Sequence, residues 1–183
     1  MKVLETEFSG LFIIEPKIFE DERGYFFESW SKKNFENNHL DLEFVQDNQS
    51  LSVKNVLRGL HFQAPPHAQG KLVRVIKGAV LDVVVDIRKG SPTFGKHFKI
   101  ELSEKNKLQF YIPPGFAHGF LTLEDQTIFY YKCTAYYNKE SEGAILWNDP
   151  ELMIDWQISN PIVSDKDNNG ILLKNFNSPF EMI

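Results

Sequence analysis

The sequence predicts an all-β fold, an antiparallel sandwich or barrel with a few short peripheral helices. Two observations carry that expectation. From Phe44 onward, apolar and β-branched runs of strand length recur at close intervals, with Gly, Pro, Asn or Asp in most of the gaps. That spacing belongs to antiparallel all-β folds and not to alternating strands and helices. Sixteen Phe residues also lift the aromatic share to 14% of 183 residues, and aromatic side chains favour strands. No repeat at solenoid spacing, low-complexity tract or linker interrupts the chain, so one domain over 1–183 is expected.

The elements follow in order. Leu11 to Ile14 and Ile18-Phe19 read as extended, broken by Pro16; Asp21-Glu22-Arg23-Gly24 is a turn, and Tyr25 to Trp30 resumes the strand. Ser31 supplies an N-cap for a short helix reaching about Asn38. Strands are then expected at 44–50, 56–62, 71–76, 79–87, 97–102, 108–112, 117–123 and 127–134. Lys77-Gly78 leaves a hairpin-length gap between two of them, and Glu124-Asp125-Gln126 another. The stretch 148–183, with Asn148-Asp149-Pro150 and Ser159-Asn160-Pro161, reads as a helical or loop extension packed on the β core.

Alternation assigns faces. In 79–87, Leu81, Val83, Val85 and Ile87 share one side, and Asp82 and Asp86 lie on the other with Val80 and Val84. Lys71 falls with Val73 and Val75, His118 with Phe120 and Thr122, and Tyr131 with Thr127, Phe129 and Cys133. If these faces share one interior, Lys71, His118 and Tyr131 are polar groups in an apolar hollow, the composition of a small-molecule pocket. Arg58 and His61 fall on opposite faces by parity. Both reach the hollow only if Gly59 between them hosts a bulge.

Composition excludes several classes. A net charge of -5 argues against general nucleic-acid binding. The lone Cys133 cannot form an internal disulfide, acids occupy the place of a secretory apolar core near the N-terminus, and no apolar run approaches ~18 residues. The expected address is cytoplasmic, with no membrane partner. Gly-rich phosphate loops, a Gly-x-Ser-x-Gly elbow and paired Cys motifs are absent from the sequence.

Each candidate chemical group has a structural alternative. A His near a strand end is commonly a satisfied structural residue, Tyr131 is explicable as a core aromatic, and Lys71 as a side chain snorkelling to the rim. Gln46-Asp47-Asn48-Gln49-Ser50 could be an edge strand, and Lys166-Asp167 a surface loop pair. Pro113-x-Gly115-x-x-His118 resembles the second half of the metal-binding pattern of cupins, a family of antiparallel β-barrels. The first half would need a second His and a Glu where His61-Phe62-Gln63 stands. Nitrogen ligands without a carboxylate make a poor metal cage, so no metal is expected.

The ordered set of motifs resembles the dTDP-4-dehydrorhamnose 3,5-epimerase family. It runs from Asp21-Glu22-Arg23-Gly24 and Phe44 to Ser50, through Val56 to Gln63, Gln69 to Val75, Val85 to Arg88 and Ser91 to Gly95. It continues through Ile112 to Phe120, Tyr131 to Thr134 and Ser141-Glu142-Gly143, to Ile154-Asp155-Trp156 and Ser164-x-Lys166-Asp167. The resemblance implies a cupin-type antiparallel β-barrel or jelly roll, a dTDP-sugar substrate and no cofactor. It also implies a homodimer whose N-terminal strands are exchanged. By the same resemblance His61 is the base, Asp167 its paired carboxylate, Tyr131 the proton donor on the other sugar face, and Lys71 a group near the keto oxygen. Arg23, Glu28, Gln46, Asp47, Asn48, Arg58, His118, Glu142 and Lys166 match substrate-binding positions, and Tyr137 the aromatic stacked on thymine. Arg23 and Glu28 are expected to serve the neighbouring subunit's site. Gln157 stands where the family usually has Pro, and the tail Asn177-Ser178-Pro179-Phe180 has no counterpart. Epimerases inverting a single centre share most of these motifs, and a non-catalytic nucleotide-sugar-binding module would keep the arginines and the stacking aromatic.

Overall fold

The computed structural model describes residues 1–182. In chain order the strands are β1 (Lys2–Glu5), β2 (Phe12–Glu15), β3 (Ile18–Asp21), β4 (Gly24–Phe27), β5 (Gln46–Ser52), β6 (Val56–Gln63), β7 (Lys71–Lys77) and β8 (Ala79–Asp86). They continue with β9 (Arg88–Lys89), β10 (His97–Ser103), β11 (Gln109–Ile112), β12 (Phe116–Thr122), β13 (Thr127–Cys133), β14 (Glu142–Ala144), β15 (Ile162–Val163) and β16 (Phe180–Glu181). Two short helices, α1 (Lys32–Glu36) and α2 (Asp165–Asn168), complete the regular structure with two single 3-10 turns.

Two antiparallel sheets face each other. One runs β1-β2-β11-β7-β13-β5 and the other β10-β8-β12-β6-β14, with β15 added in parallel to β6. From β5 to β8 the chain changes sheet at every step, and it alternates again from β10 to β13. This is a jelly-roll arrangement of the cupin type.

The gaps at Lys77-Gly78 and Glu124-Asp125-Gln126 are therefore not hairpins. Each carries the chain from one sheet to the other, and the two crossings pack together. Gly78 has φ +80°, and a Cβ there would lie 2.5 Å from Thr127 Oγ1. A short gap fixes proximity of strand ends but not which sheet receives the next strand. β1 has no counterpart among the expected strands, since charged Lys2 and Glu5 leave only Val3-Leu4 apolar; it pairs with β2 from Lys2↔Glu15 to Glu5↔Phe12. The extended segment expected through Trp30 ends at Phe27, and α1 is shorter than anticipated, with the Ser31 side chain accepting from Asn34 N.

Between the sheets lies a core of Val73, Val75, Val80, Val84, Phe110, Phe116, Phe120 and Phe129. The outer side of the second sheet, built from Leu81, Val83, Val85, Leu57 and Leu121, is covered by Leu152, Trp156 and Phe180 of the C-terminal extension. That double coverage explains why every residue of β8 is buried. The outer side of the first sheet (Ile14, Leu72, Tyr111) is covered by Phe35 of α1 and Leu40.

The unplaced C-terminal tail has a defined seat. Phe180 pairs with Arg88 and Glu181 with Lys89, in parallel. Ser178 Oγ donates to Ile87 O, and the Phe176 and Phe180 rings lie 5.2 and 6.1 Å from that of Phe62. Its neighbour Asp86 accepts from Arg88 Nε (2.9 Å) and Nη2 (2.7 Å), and from the hydroxyls of Ser91 and Thr93 (2.6 Å each). This explains why Ser91-Pro92-Thr93 follows the strand: the hydroxyls donate to a buried carboxylate whose charge Arg88 balances.

Candidate active site

The bulge at Gly59 sets the geometry. In the β6–β12 register His61 opposes His118, but Phe120 opposes Arg58, so three steps of β6 span two of β12. Gly59 has φ +132°, and a Cβ there would lie 2.9 Å from His118 O; only glycine fits. The extra residue turns Arg58 and His61 onto one cavity despite their parity.

That cavity, about 380 Å³, lies between the sheets. His61, Arg58 and His118 line it from the second sheet, and Lys71, Tyr131 and Asn48 from the first. Phe120 and Phe129, stacked with ring centroids 4.1 Å apart, form its apolar floor. An adjoining cleft shares His61, Asn48, Lys71 and Tyr131 and continues to Gln46, Tyr137 and Glu142.

His61 Nε2 lies 2.5 Å from Asp167 Oδ1. Asp167 sits in the first turn of α2, where the Ser164 cap accepts from its backbone N–H at 3.2 Å. The residue is buried, not part of an exposed loop. Burial pushes its carboxyl up, but the His61 hydrogen bond and charge, with Ser164 and Lys166, outweigh that and hold it below the ordinary value. With Nε2 committed to Asp167, His61 Nδ1 is the nitrogen left to exchange a proton.

On the facing sheet Lys71 Nζ lies 5.9 Å from the Tyr131 ring centroid. Burial pulls the Lys71 ammonium down against the opposing pull of Cys133, Asp82 and Glu142. Burial also pushes the Tyr131 phenol up, so it remains a protonated donor at neutral pH. Arg58 donates from Nε and Nη2 to Ser52 Oγ, at 3.3 and 3.2 Å. In the cleft, Tyr137 Oη donates to Glu142 Oε2 at 3.0 Å and Lys166 Nζ to Glu142 Oε1 at 2.6 Å. Gln46 Oε1 accepts from Tyr137 N at 2.9 Å, and Asn48 Nδ2 contacts Cys133 Sγ at 3.5 Å.

Asp47, Arg23 and Glu28, anticipated at the site, line neither this cavity nor its cleft within one chain. Asp47 alternates to the outer face of β5, where it bonds Lys132 Nζ (2.9 Å) and Tyr130 Oη (2.7 Å). Arg23 stands on the β3–β4 hairpin with its side chain 85% exposed, paired with Asp21. Glu28 accepts from Asn34 Nδ2 beside α1. Arg74, three residues beyond Lys71, likewise points away from the cavity: it lies on the outer face of the first sheet, its guanidinium 5.4 Å from the Phe27 ring and 5.6 Å from that of Tyr130. Parity decides both Asp47 and Arg74.

Two contributors went unselected in the sequence. Asp82, fully buried, bonds His118 Nε2 at 3.0 and 2.9 Å; the signal was an acid on the inward face of an otherwise apolar strand. Gln63, at the place of the cupin Glu, accepts from Asn138 N at 2.8 Å and donates to Tyr136 O at 3.0 Å and to His67 O. It ties the loop after β6 to the loop carrying Tyr137. Among the described residues, no group of three or more His, Cys, Asp or Glu side chains converges as a metal cage would require, and no helix is long and apolar enough to cross a membrane.

Comparison with known proteins follows the same outline. The family profile described as dTDP-4-dehydrorhamnose 3,5-epimerase matches residues 5–175. A protein of that name from Shigella flexneri is 54% identical over 171 residues, 93% of this chain and 94% of the relative. The crystal structure of a dTDP-4-dehydrorhamnose 3,5-epimerase from Elizabethkingia anophelis is 52% identical, with a TM-score of 0.90 over 96% of this chain and 99% of that one. A dTDP-6-deoxy-D-glucose-3,5-epimerase from Legionella pneumophila, solved with dTDP-4-keto-L-rhamnose, is 50% identical, with a TM-score of 0.91 over 96% and 94% of the two chains.

Proposed function

The chain belongs to the dTDP-4-dehydrorhamnose 3,5-epimerase family, and from that premise we propose how its own residues perform the isomerisation. The enzyme epimerises dTDP-4-dehydro-6-deoxy-D-glucose at C3 and C5 to dTDP-4-dehydro-L-rhamnose, a step of dTDP-L-rhamnose biosynthesis. The 4-keto group makes both neighbouring C–H bonds acidic, because the electron pair left behind is delocalised onto oxygen as an enolate. His61 Nδ1 takes the proton; Asp167 holds the ring and balances the imidazolium. The Lys71 ammonium faces the enolate oxygen, a fixed charge in a dry site. Tyr131 returns a proton from the opposite face, which inverts the carbon, and its phenolate is then reprotonated from solvent. Because the 4-keto group already present acidifies both C–H bonds, proton transfer alone carries the reaction, and the reading calls for neither a redox cofactor nor a metal.

The observation that carries this reading is the approach of the His61–Asp167 pair and of Tyr131 to one cavity from opposing sheets. A module that only binds nucleotide sugars has no use for that opposition. Arg58 and Lys166 bind the diphosphate, Gln46, Asn48 and Glu142 the nucleotide and sugar, and Tyr137 stacks on the thymine. The decisive experiment incubates enzyme and substrate in deuterium oxide and follows C3 and C5 by NMR. Deuterium enters both positions; entry at one alone would make this a single-centre epimerase. Tyr131→Phe continues to exchange but inverts poorly, and unimpaired turnover would remove it as the donor.

The working unit is a homodimer of single-domain 1–183 chains that exchange N-terminal strands. Supporting this, Arg23 and Glu28 lie outside their own cavity, and the same hairpin exposes Phe19, Tyr25 and Phe26 at 54, 55 and 69%. Arg23→Ala should weaken substrate binding, and sedimentation should give a dimer. A monomer with full activity would overturn it. The address we propose is cytoplasmic, and the single, buried Cys133 sets no requirement for an oxidising compartment.

A further inference from the structure

The cavity contains a second histidine–aspartate pair that the reaction as written does not use. Asp82 is fully buried in β8, and among the described residues its carboxylate has a single side-chain partner, His118 Nε2, bonded through both oxygens. Among the described residues His118 Nδ1 has no hydrogen bond, and it is not one of the sealed, unpartnered polar atoms. It therefore opens on the cavity that His118 lines. The ring is held in its plane by Phe129, stacked with centroids 6.1 Å apart and planes at 28°.

We propose that Asp82 is a positioning residue that locks His118 in the Nε2–H tautomer, so that Nδ1 faces the sugar as a hydrogen-bond acceptor and selects a ring hydroxyl. A carboxylate can only accept, so the nitrogen facing it must carry the proton. In a neutral imidazole the other nitrogen is then a lone pair. The ring stays neutral because burial, with the charges of Lys71 and His61 in the same cavity, outweighs the pull of Asp82. The site also contains donors to the sugar: Lys71, Arg58 and Asn48 all line it. An acceptor rejects a substrate that lacks the hydroxyl, because a buried lone pair is left unpaired. His118 lies at the floor beside Phe120 and Phe129, away from the cleft of Tyr137 and Glu142 that takes the nucleoside. Its contribution is accordingly to the sugar and not to the nucleotide.

This inference rests on the epimerase reading for the ligand's identity, but its first test does not. Nitrogen-15 NMR of the imidazoles in the ligand-free protein is expected to report His118 with protonated Nε2 and bare Nδ1 at neutral pH. Asp82→Asn, whose amide can donate as well as accept, releases the lock and populates the other tautomer. A parent spectrum with Nδ1 protonated overturns the proposal whatever the enzyme catalyses. Calorimetry with dTDP and with dTDP-L-rhamnose forms the second test. Asp82→Asn should weaken the sugar nucleotide about tenfold while leaving dTDP unchanged. Asp82→Glu, which keeps the charge, should restore part of the loss. Equal weakening of both ligands, or none, overturns the selection of a hydroxyl. So does loss of deuterium exchange at one carbon with sugar affinity intact, which would make His118 a second base.

Discussion

His61 and His118 stand directly opposite each other in the β6–β12 register, and each turns Nε2 onto its own aspartate. The pairs differ in depth. The His61 side chain is 29% exposed and Asp167 comes from the C-terminal extension, whereas His118 is 7% exposed and Asp82 belongs to the barrel wall. The outer pair can trade protons with solvent between turnovers; the inner one cannot do so readily.

If His61 is the base, His61→Asn lowers deuterium incorporation at both carbons by about 10³-fold while dTDP binding is retained. Asp167→Asn lowers it by about 10²-fold, because the ring loses its orientation and its counter-charge. Exchange at the parental rate in either variant removes that residue from the mechanism; NMR measures the exchange and calorimetry the binding.

Lys71 trades stability for function. Burial depresses its pKa, so the charged form costs stability, fully below the depressed value and progressively less as pH rises towards 10.5. Lys71→Met therefore raises Tm at pH 7, with the gap narrowing at alkaline pH, yet lowers turnover by about 10²-fold or more. Calorimetric scans across pH, paired with rates, check both halves.

Asp86 behaves in the opposite sense. Burial pushes its carboxyl up, but Arg88, Ser91 and Thr93 hold it below 3.8. Its contribution is present above that value and is lost as pH falls through the depressed one. Asp86→Asn should cost about 3 kcal/mol at pH 7. The difference from the parent should shrink below pH 3.8. Urea unfolding at several pH values measures this, and a difference independent of pH would refute the assignment.

The family match ends at residue 175, yet Phe176 and Phe180 pack against Phe62, the neighbour of His61, and Ser178 bonds Ile87 O. Ending the chain after Asn175 should cost about 3 kcal/mol, as removal of a buried Phe does. In a chain of this size that lowers Tm by about 6–12 °C. An unchanged Tm would mean the tail contributes no net stability.

The all-β class, most strand positions, the inward side of Lys71, His118 and Tyr131, and the need for a bulge at Gly59 are legible in the amino-acid order. These follow from period-two alternation and turn chemistry, which are local. Its ordered motifs also identified the family and so brought His61 and Asp167 together, 106 residues apart. The folded chain alone reveals that the Lys77-Gly78 gap crosses between sheets, that Asp47 and Arg74 face outward, and that the tail seats on Phe62. It alone joined Asp82 to His118. The physical reason is common to all of these: which sheet a strand joins, and what a buried carboxylate meets across it, depend on long-range packing that no local pattern encodes.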